Sequence, residues 1–254
     1  MITQDLKEIE ILREGGKILA TVLNMVAAKA DVGVSAKDLD TLAEKEILKA
    51  GGRPSFKNYR SQPGDPPFPA ALCVSRNNEV VHGIPYADKI LQSGDIAGLD
   101  LGMEYKGLYT DMAITVPIGK VLDKHKQLIT AAKKSLQAGL DMVKPGNFTG
   151  DVGFAIENTA KQYKFQVVRE LVGHGVGKAV HEEPEVPCFG NPKSGTKLMD
   201  GMVLAIEPMV NDGTWKINFA KDKWTIVTED GGWSAHAEHT IIVTKTGYEI
   251  LTAV

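Results

Sequence analysis

Cysteine is scarce in this chain. There are two, Cys73 and Cys188, among 254 residues. They form no CxxC pair and lie far apart, which argues against a disulfide framework and for a reducing compartment. Long apolar runs are missing as well. No stretch approaches the ~20 apolar residues that span a bilayer as a helix. The first residues, Met1-Ile-Thr-Gln-Asp-Leu-Lys-Glu, hold no basic region followed by an apolar run, so no signal peptide is read there. Neither sign of charge dominates. The 29 Lys and Arg against 32 Asp and Glu leave a formal net charge of -3. That balance does not point to nucleic acid or an anionic membrane as the main partner. The expectation is a cytoplasmic protein. Apolar residues at 43% and a chain of this length allow a substantial core without staples, in one large α/β domain or two small ones.

Residues 5–29 place Leu6, Ile9, Leu12, Ile18, Leu19, Val22, Leu23 and Val26 at helical spacing. Ser35 reads as the N-cap of a second helix over 36–50, ended by Gly51-Gly52. Residues 53–72 read as a loop, and strand patterns follow at 71–75, 79–82, 95–103 and 108–117. The order then recurs: helices over 123–143 and 149–163, strand patterns at 165–169, 202–210, 224–228 and 236–244. Residues 33–44 align without gaps on residues 146–157, matching Gly33 with Gly146, Asp38 with Asp151 and Glu44 with Glu157. The pattern predicts one domain over 1–254 built from two related halves, about 1–120 and 121–254. Chance likeness between two amphipathic helices is the plainer alternative.

Acidic residues stand where strand chemistry disfavours them. Gly94–Met103 and Gly107–Pro117 read as a hairpin. With its turn centred between Tyr105 and Lys106, Asp100 falls directly opposite Asp111. Asp is depleted in strands, and like charges facing each other across a pair are destabilising. Glu207 lies in the apolar run Met202-Val-Leu-Ala-Ile-Glu-Pro208, and Glu238 opens the run up to Thr244. A carboxylate in such surroundings is almost never buried unless paired. Bound cations would resolve all four. His174, within Gly173-His-Gly-Val-Gly177, supplies an imidazole. Four carboxylates and one imidazole suit Mn, Fe, Co or Zn in a two-metal site better than a structural zinc. Of the other histidines, His125 reads as a solvated helix residue. His236 and His239 are placed on the face opposite Glu238 and so outside the ligand set. No zincin, phosphate-loop or nucleophile-elbow pattern is present. Cys73 and Cys188 read as buried thiols.

Together these residues resemble a known family. His82-Gly-Ile-Pro85, the Asp100/Asp111 spacing, Gly173–Gly177, His181-Glu-Glu-Pro184, Ile206-Glu-Pro-Met209 and Glu238-His-Thr240 are similar to type I methionine aminopeptidases, in the same order along nearly the whole chain. The resemblance implies the pita-bread fold, an α/β arrangement with a pseudo-two-fold axis. It implies two divalent metal ions (Co, Mn, Fe or Zn) held by Asp100, Asp111, His174, Glu207 and Glu238, with Asp111 and Glu238 bridging. It makes Glu207 the proton acceptor, and His82 and His181 the histidines beside the substrate. Phe56, Tyr59, Phe68, Cys73 and Trp224 resemble the residues around the methionine side chain. The implied substrates are N-terminal methionyl peptides of nascent proteins whose second residue is small. The implied state is a monomer, with the ribosome left open as a partner. The chain departs from the family's pattern in a longer loop over 60–69, in Arg76-Asn77, in Val180 and in Gly98. The alternatives are a proline-specific aminopeptidase of the same fold, usually preceded by a further domain, and a peptide-binding protein without catalysis.

Overall fold

The computed structural model describes residues 1–254. Four helices and two main antiparallel sheets carry the core. The first helix, α1 (Leu6–Ala27), starts where the Asp5 side chain accepts from Lys7 N at 2.8 Å. It buries Leu12, Leu19, Val22, Leu23 and Val26 along one face. The second, α2 (Ala36–Lys49), is capped by Ser35, whose Oγ accepts from Lys37 N. In the second half, α3 is Asp123–Leu140 and α4 is Thr149–Gln162. The α4 terminus is satisfied by Asp151, which accepts from Phe148 N at 2.8 Å with one oxygen and from Lys193 N at 2.9 Å with the other. The offset that aligns Gly33 on Gly146 also superposes the ends of α2 on those of α4, and the end of α1 on that of α3.

Each helix pair covers a sheet. The strand Ile96–Tyr105 lies between Leu108–Pro117 and Leu72–Arg76, and α1 and α2 pack on it through Leu19, Leu23, Leu39, Ile47, Leu99 and Leu101. Buried Asp40 of α2 ties the layers, accepting from Ala71 N and Leu72 N and pairing with Lys37. In the second half, Val203–Ile206 lies between His239–Thr244 and Val172–Gly175, and Glu182–Pro187 flanks the latter. Here α3 and α4 pack through Leu128, Leu136, Val152, Ile156, Leu204 and Ile241.

The hairpin register differs from the sequence expectation. Tyr105 pairs with Leu108, so the turn residues are Lys106 and Gly107, both with positive φ (51° and 86°). Two such residues make the primed turn whose twist suits a two-residue hairpin, and glycine adopts it most readily. Asp111 therefore faces Gly102, and Asp100 faces Ala113. The two carboxylates remain on one face as diagonal neighbours. The expected strand 202–210 is two strands, Val203–Ile206 and Met209–Asn211, and 236–244 is likewise Ser234–His236 and His239–Thr244. Glu207 and Glu238 occupy the breaks. His125 is buried and stacks on Trp233 at 3.5 Å between ring centroids, rather than being solvated.

The halves meet along Leu108–Pro117 and residues 236–240. Thr240 Oγ1 accepts from Asp111 N at 2.8 Å and donates to Asp111 O at 2.7 Å. Thr115 Oγ1 accepts from His236 N at 2.9 Å and donates to His236 O at 2.8 Å. Between them Glu238 N donates to Ala113 O at 2.9 Å. Each hydroxyl thus satisfies the backbone N–H and C=O of one buried residue. Thr240→Val keeps the shape and leaves an N–H and a C=O unpaired. We expect a loss of about 1–3 kcal/mol in urea denaturation, with Thr240→Ser retaining most of it. Equal stability of the Val variant and wild type would contradict this role.

Candidate metal centre

The hairpin of Asp100 and Asp111 and the two strand breaks bring the predicted acidic residues together. Asp100, Asp111, His174 and Glu238 are buried, the last only 2% exposed, and Glu207 is nearly so. Donor atoms of Asp111, His174 and Glu238 lie within 4.8 Å of one another, as do those of Glu207, His236 and Glu238. His174 Nε2 is 3.3 Å from Glu207 Oε1. The glycines beside His174 allow this closeness. A Cβ on Gly173 would lie 2.4 Å from Ala205 O, and one on Gly175 2.2 Å from Glu183 O.

Electrostatics make the cluster unstable as a set of anions. Burial raises the pKa of all four carboxyls, followed by the charge of Asp111 at Asp100, Glu207 and Glu238. Asp111 is pushed to about 7, chiefly by burial and against the hydrogen bond from Met112 N. No lysine or arginine lines the surrounding cavity. The histidines offer no counter-charge either, since burial lowers His82 and His174 to about 4 and His236 to about 3. Asp100 Oδ1 and His236 Nε2 are buried without a hydrogen-bond partner. Oxygen-rich donors, a neutral imidazole and orphaned polar atoms together fit divalent cations. His174 Nδ1 lies 2.9 Å from Gly175 O, which puts its proton there and leaves the Nε2 lone pair for a metal.

A cavity of about 320 Å³ opens on these groups, and every residue anticipated for the substrate lines it: Phe56, Tyr59, Phe68, Cys73, His82, His181 and Trp224. Cys73 sits opposite Asp100 in the sheet, and its thiol is pushed well up, first by burial and then by that carboxylate. Both cysteines are free and buried, as the sequence predicts. Phe68 packs edge-on against Trp224 at 5.3 Å, and Trp224 Nε1 donates to Pro66 O at 3.1 Å, pinning the 60–69 loop over the cavity. Gly102 opposite Asp111 gives the room, since a Cβ there would lie 2.7 Å from the Phe56 ring. His82 holds φ 57°, in the left-handed region that few non-glycine residues adopt and that histidine enters more readily than most. Tyr59 Oη lies 2.7 Å from His181 Nδ1, and the His181 ring centroid is 4.4 Å from that of His174. Glu182 fixes the loop before His181, accepting from Lys178 N and Ala179 N and pairing with the Met1 amine at 2.9 Å.

Sequence reasoning missed Ser61, Val81, Glu170, Leu171, Val172 and Met209 in the cavity wall, and it misplaced His236. Met209 and Val172 each lie two positions from a predicted ligand, a spacing that alternation could have used. The error at His236 has the same origin: residues two apart share a strand face, so His236 points with Glu238. Only His239 turns away, its Nδ1 3.0 Å from Thr252 Oγ1.

Comparison with known proteins agrees with this geometry. The model of metallopeptidase family M24 matches residues 10–245. A methionine aminopeptidase 1 of Bacillus subtilis is 44% identical over 98% of this chain and 97% of its own length. One from Clostridium acetobutylicum is 43% identical over 96% of each. The crystal structure of methionine aminopeptidase from Thermotoga maritima superposes with a TM-score of 0.95 at 41% identity, covering all of both chains. An X-Pro aminopeptidase from Thermotoga maritima shares the pita-bread fold alone, with a TM-score of 0.76 at 19% identity over 62% of its chain. With the family model spanning most of the sequence and relatives matching it end to end, the chain belongs to metallopeptidase family M24, among the methionine aminopeptidases.

Proposed function

We propose that this chain removes the N-terminal methionine from peptides whose second residue is small, using two divalent ions held by Asp100, Asp111, His174, Glu207 and Glu238. The observation that carries this reading is three buried carboxyls and a nearly buried fourth, without any lysine or arginine, at the end of a cavity with an aromatic and thiol wall. Co, Mn, Fe and Zn all suit the donors. When bound, such ions supply a water nucleophile at neutral pH, polarise the scissile carbonyl and hold the free amine of the substrate.

The protein's own groups do the rest. Phe56, Tyr59, Phe68, Cys73 and Trp224 take the methionine side chain. Glu207 accepts the proton of the attacking water. The Tyr59 hydroxyl donates to His181 Nδ1, so that Nε2–H faces the developing oxyanion. His82 contacts the scissile amide. One domain of two related halves, a monomer, a cytoplasmic setting and nascent chains as substrates complete the reading by likeness to the family. The ribosome stays an open partner.

A panel of Met-Ala-Ser, a proline-containing peptide and a lysine-headed peptide, assayed with Mn or Co, tests the specificity. Cleavage of the first alone is expected; turnover of the proline peptide in preference to it would overturn the reading. His181→Ala is expected to lower kcat by about 10²–10³-fold with metal content unchanged. Lost metal in that variant would refute the assignment.

The buried carboxyls also predict a pH dependence. A carboxyl whose pKa is higher folded than unfolded binds more protons when folded, so stability falls as pH rises between the two values. For Asp111 that interval runs from about 4 to about 7. The other three carboxyls, raised well above their ordinary values, extend it upward. The buried histidines act oppositely, but only below their ordinary 6.5. The metal-free protein should therefore lose Tm from about pH 6.5 upward, and Mn should raise Tm more at about pH 8 than at about pH 6. A metal-free Tm that stays flat over this range would contradict the burial argument.

A further inference from the structure

His236 belongs to neither the ligand set nor the substrate wall, yet it faces the same cluster. It is 3% exposed, and its peptide is held on both sides by Thr115. Its Nε2 lies 3.6 Å from Glu207 Oε2 and 3.9 Å from Glu238 Oε2, with no hydrogen-bond partner of its own. The other oxygen of Glu207, Oε1, lies 3.3 Å from His174 Nε2. One carboxylate thus stands between two imidazoles, each facing a different oxygen.

The two sides are not equivalent. The bond between His174 Nδ1 and Gly175 O leaves a lone pair on His174 Nε2. Two lone-pair atoms at 3.3 Å have the spacing of adjacent donors on one ion, which is about 3.0–3.4 Å for bonds of ~2.1 Å. Glu207 Oε1 is then the oxygen turned to the metal, and Oε2 is left over. The Glu207 side chain is only 13% exposed, and a carboxylate oxygen not held by an ion is best satisfied there by a protein donor. Among its ion-pairing neighbours Glu207 has only the two histidines, and His236 Nε2 is the one without other employment.

We infer that His236 is the positioning residue of Glu207, with Nε2–H donating to Oε2 and so turning Oε1 toward the metal. This rests on the reading of Glu207 as a ligand. The present gap of 3.6 Å exceeds a hydrogen bond, so the inference requires the Glu207 carboxylate to rotate toward His236 when the metal binds. Partners of this kind orient ligands, and their loss typically lowers metal affinity by about 10–100-fold.

The test is calorimetric titration of the metal-free full chain with Mn alone. His236→Ala should bind about 10–100-fold more weakly than wild type. His236→Gln, whose amide keeps an N–H donor, should recover most of that loss. Adding His236→Ala to Glu207→Ala should weaken binding no further, because the histidine acts through the carboxylate. A general structural role would lower affinity in both backgrounds and overturn the inference, as would wild-type affinity in His236→Ala. If His236→Gln is as weak as the alanine variant and the absorption of the Co-loaded protein reports one imidazole fewer, His236 is itself a ligand and the inference fails while the metal reading stands. Absence of Mn binding by wild type would instead remove the metal reading, and this inference with it.

Discussion

Four carboxyls buried together without a cationic side chain set the terms for the rest of this molecule. Two unit charges about 4 Å apart repel by about 4 kcal/mol at the effective dielectric of ~20 that describes such sites. A domain's whole stability is only about 5–15 kcal/mol. The cluster therefore stays partly protonated or takes up positive charge. The upward displacement of all four carboxyls expresses the first option, and divalent metal binding is the second. The histidines cannot substitute, because the burial that raises the carboxyls also keeps the imidazoles neutral.

Holding repelling groups together requires a rigid backbone. The carboxyl-bearing segments come from distant parts of the chain, and two threonine hydroxyls join them, each bonding the backbone N–H and C=O of one residue across the junction. Glu207 and Glu238 lie where strands break, so their side chains leave the pleat and converge on the hairpin that carries Asp100 and Asp111. The helix pairs supply the apolar area that offsets this polar junction.

Much of this was legible in the sequence because burying acid breaks rules that composition alone exposes. Asp100, Asp111, Glu207 and Glu238 stood out against apolar strand patterns, and the structure gathers them. The helices were legible from their periodicity and caps, and the Ser35 cap forms as read. What failed was local geometry. The hairpin turn sits one position later because Gly107 accepts positive φ, a preference that outweighs the apparent symmetry of the two aspartates. The strands Val172–Gly175 and Glu182–Pro187 were not anticipated, since glycine-rich and acidic segments lack strand composition. His125 looked solvated by its neighbours in sequence, but a tryptophan more than a hundred residues away covers it. His236 was lost to a miscounted alternation rather than to missing information.

Crystals grown with Mn and measured at the metal's absorption edge would locate any ion held by the buried carboxyls. Two anomalous peaks are expected inside the cavity, enclosed by Asp100, Asp111, His174, Glu207 and Glu238. Peaks confined to the surface, or a cluster left metal-free with its carboxyls protonated, would contradict that expectation.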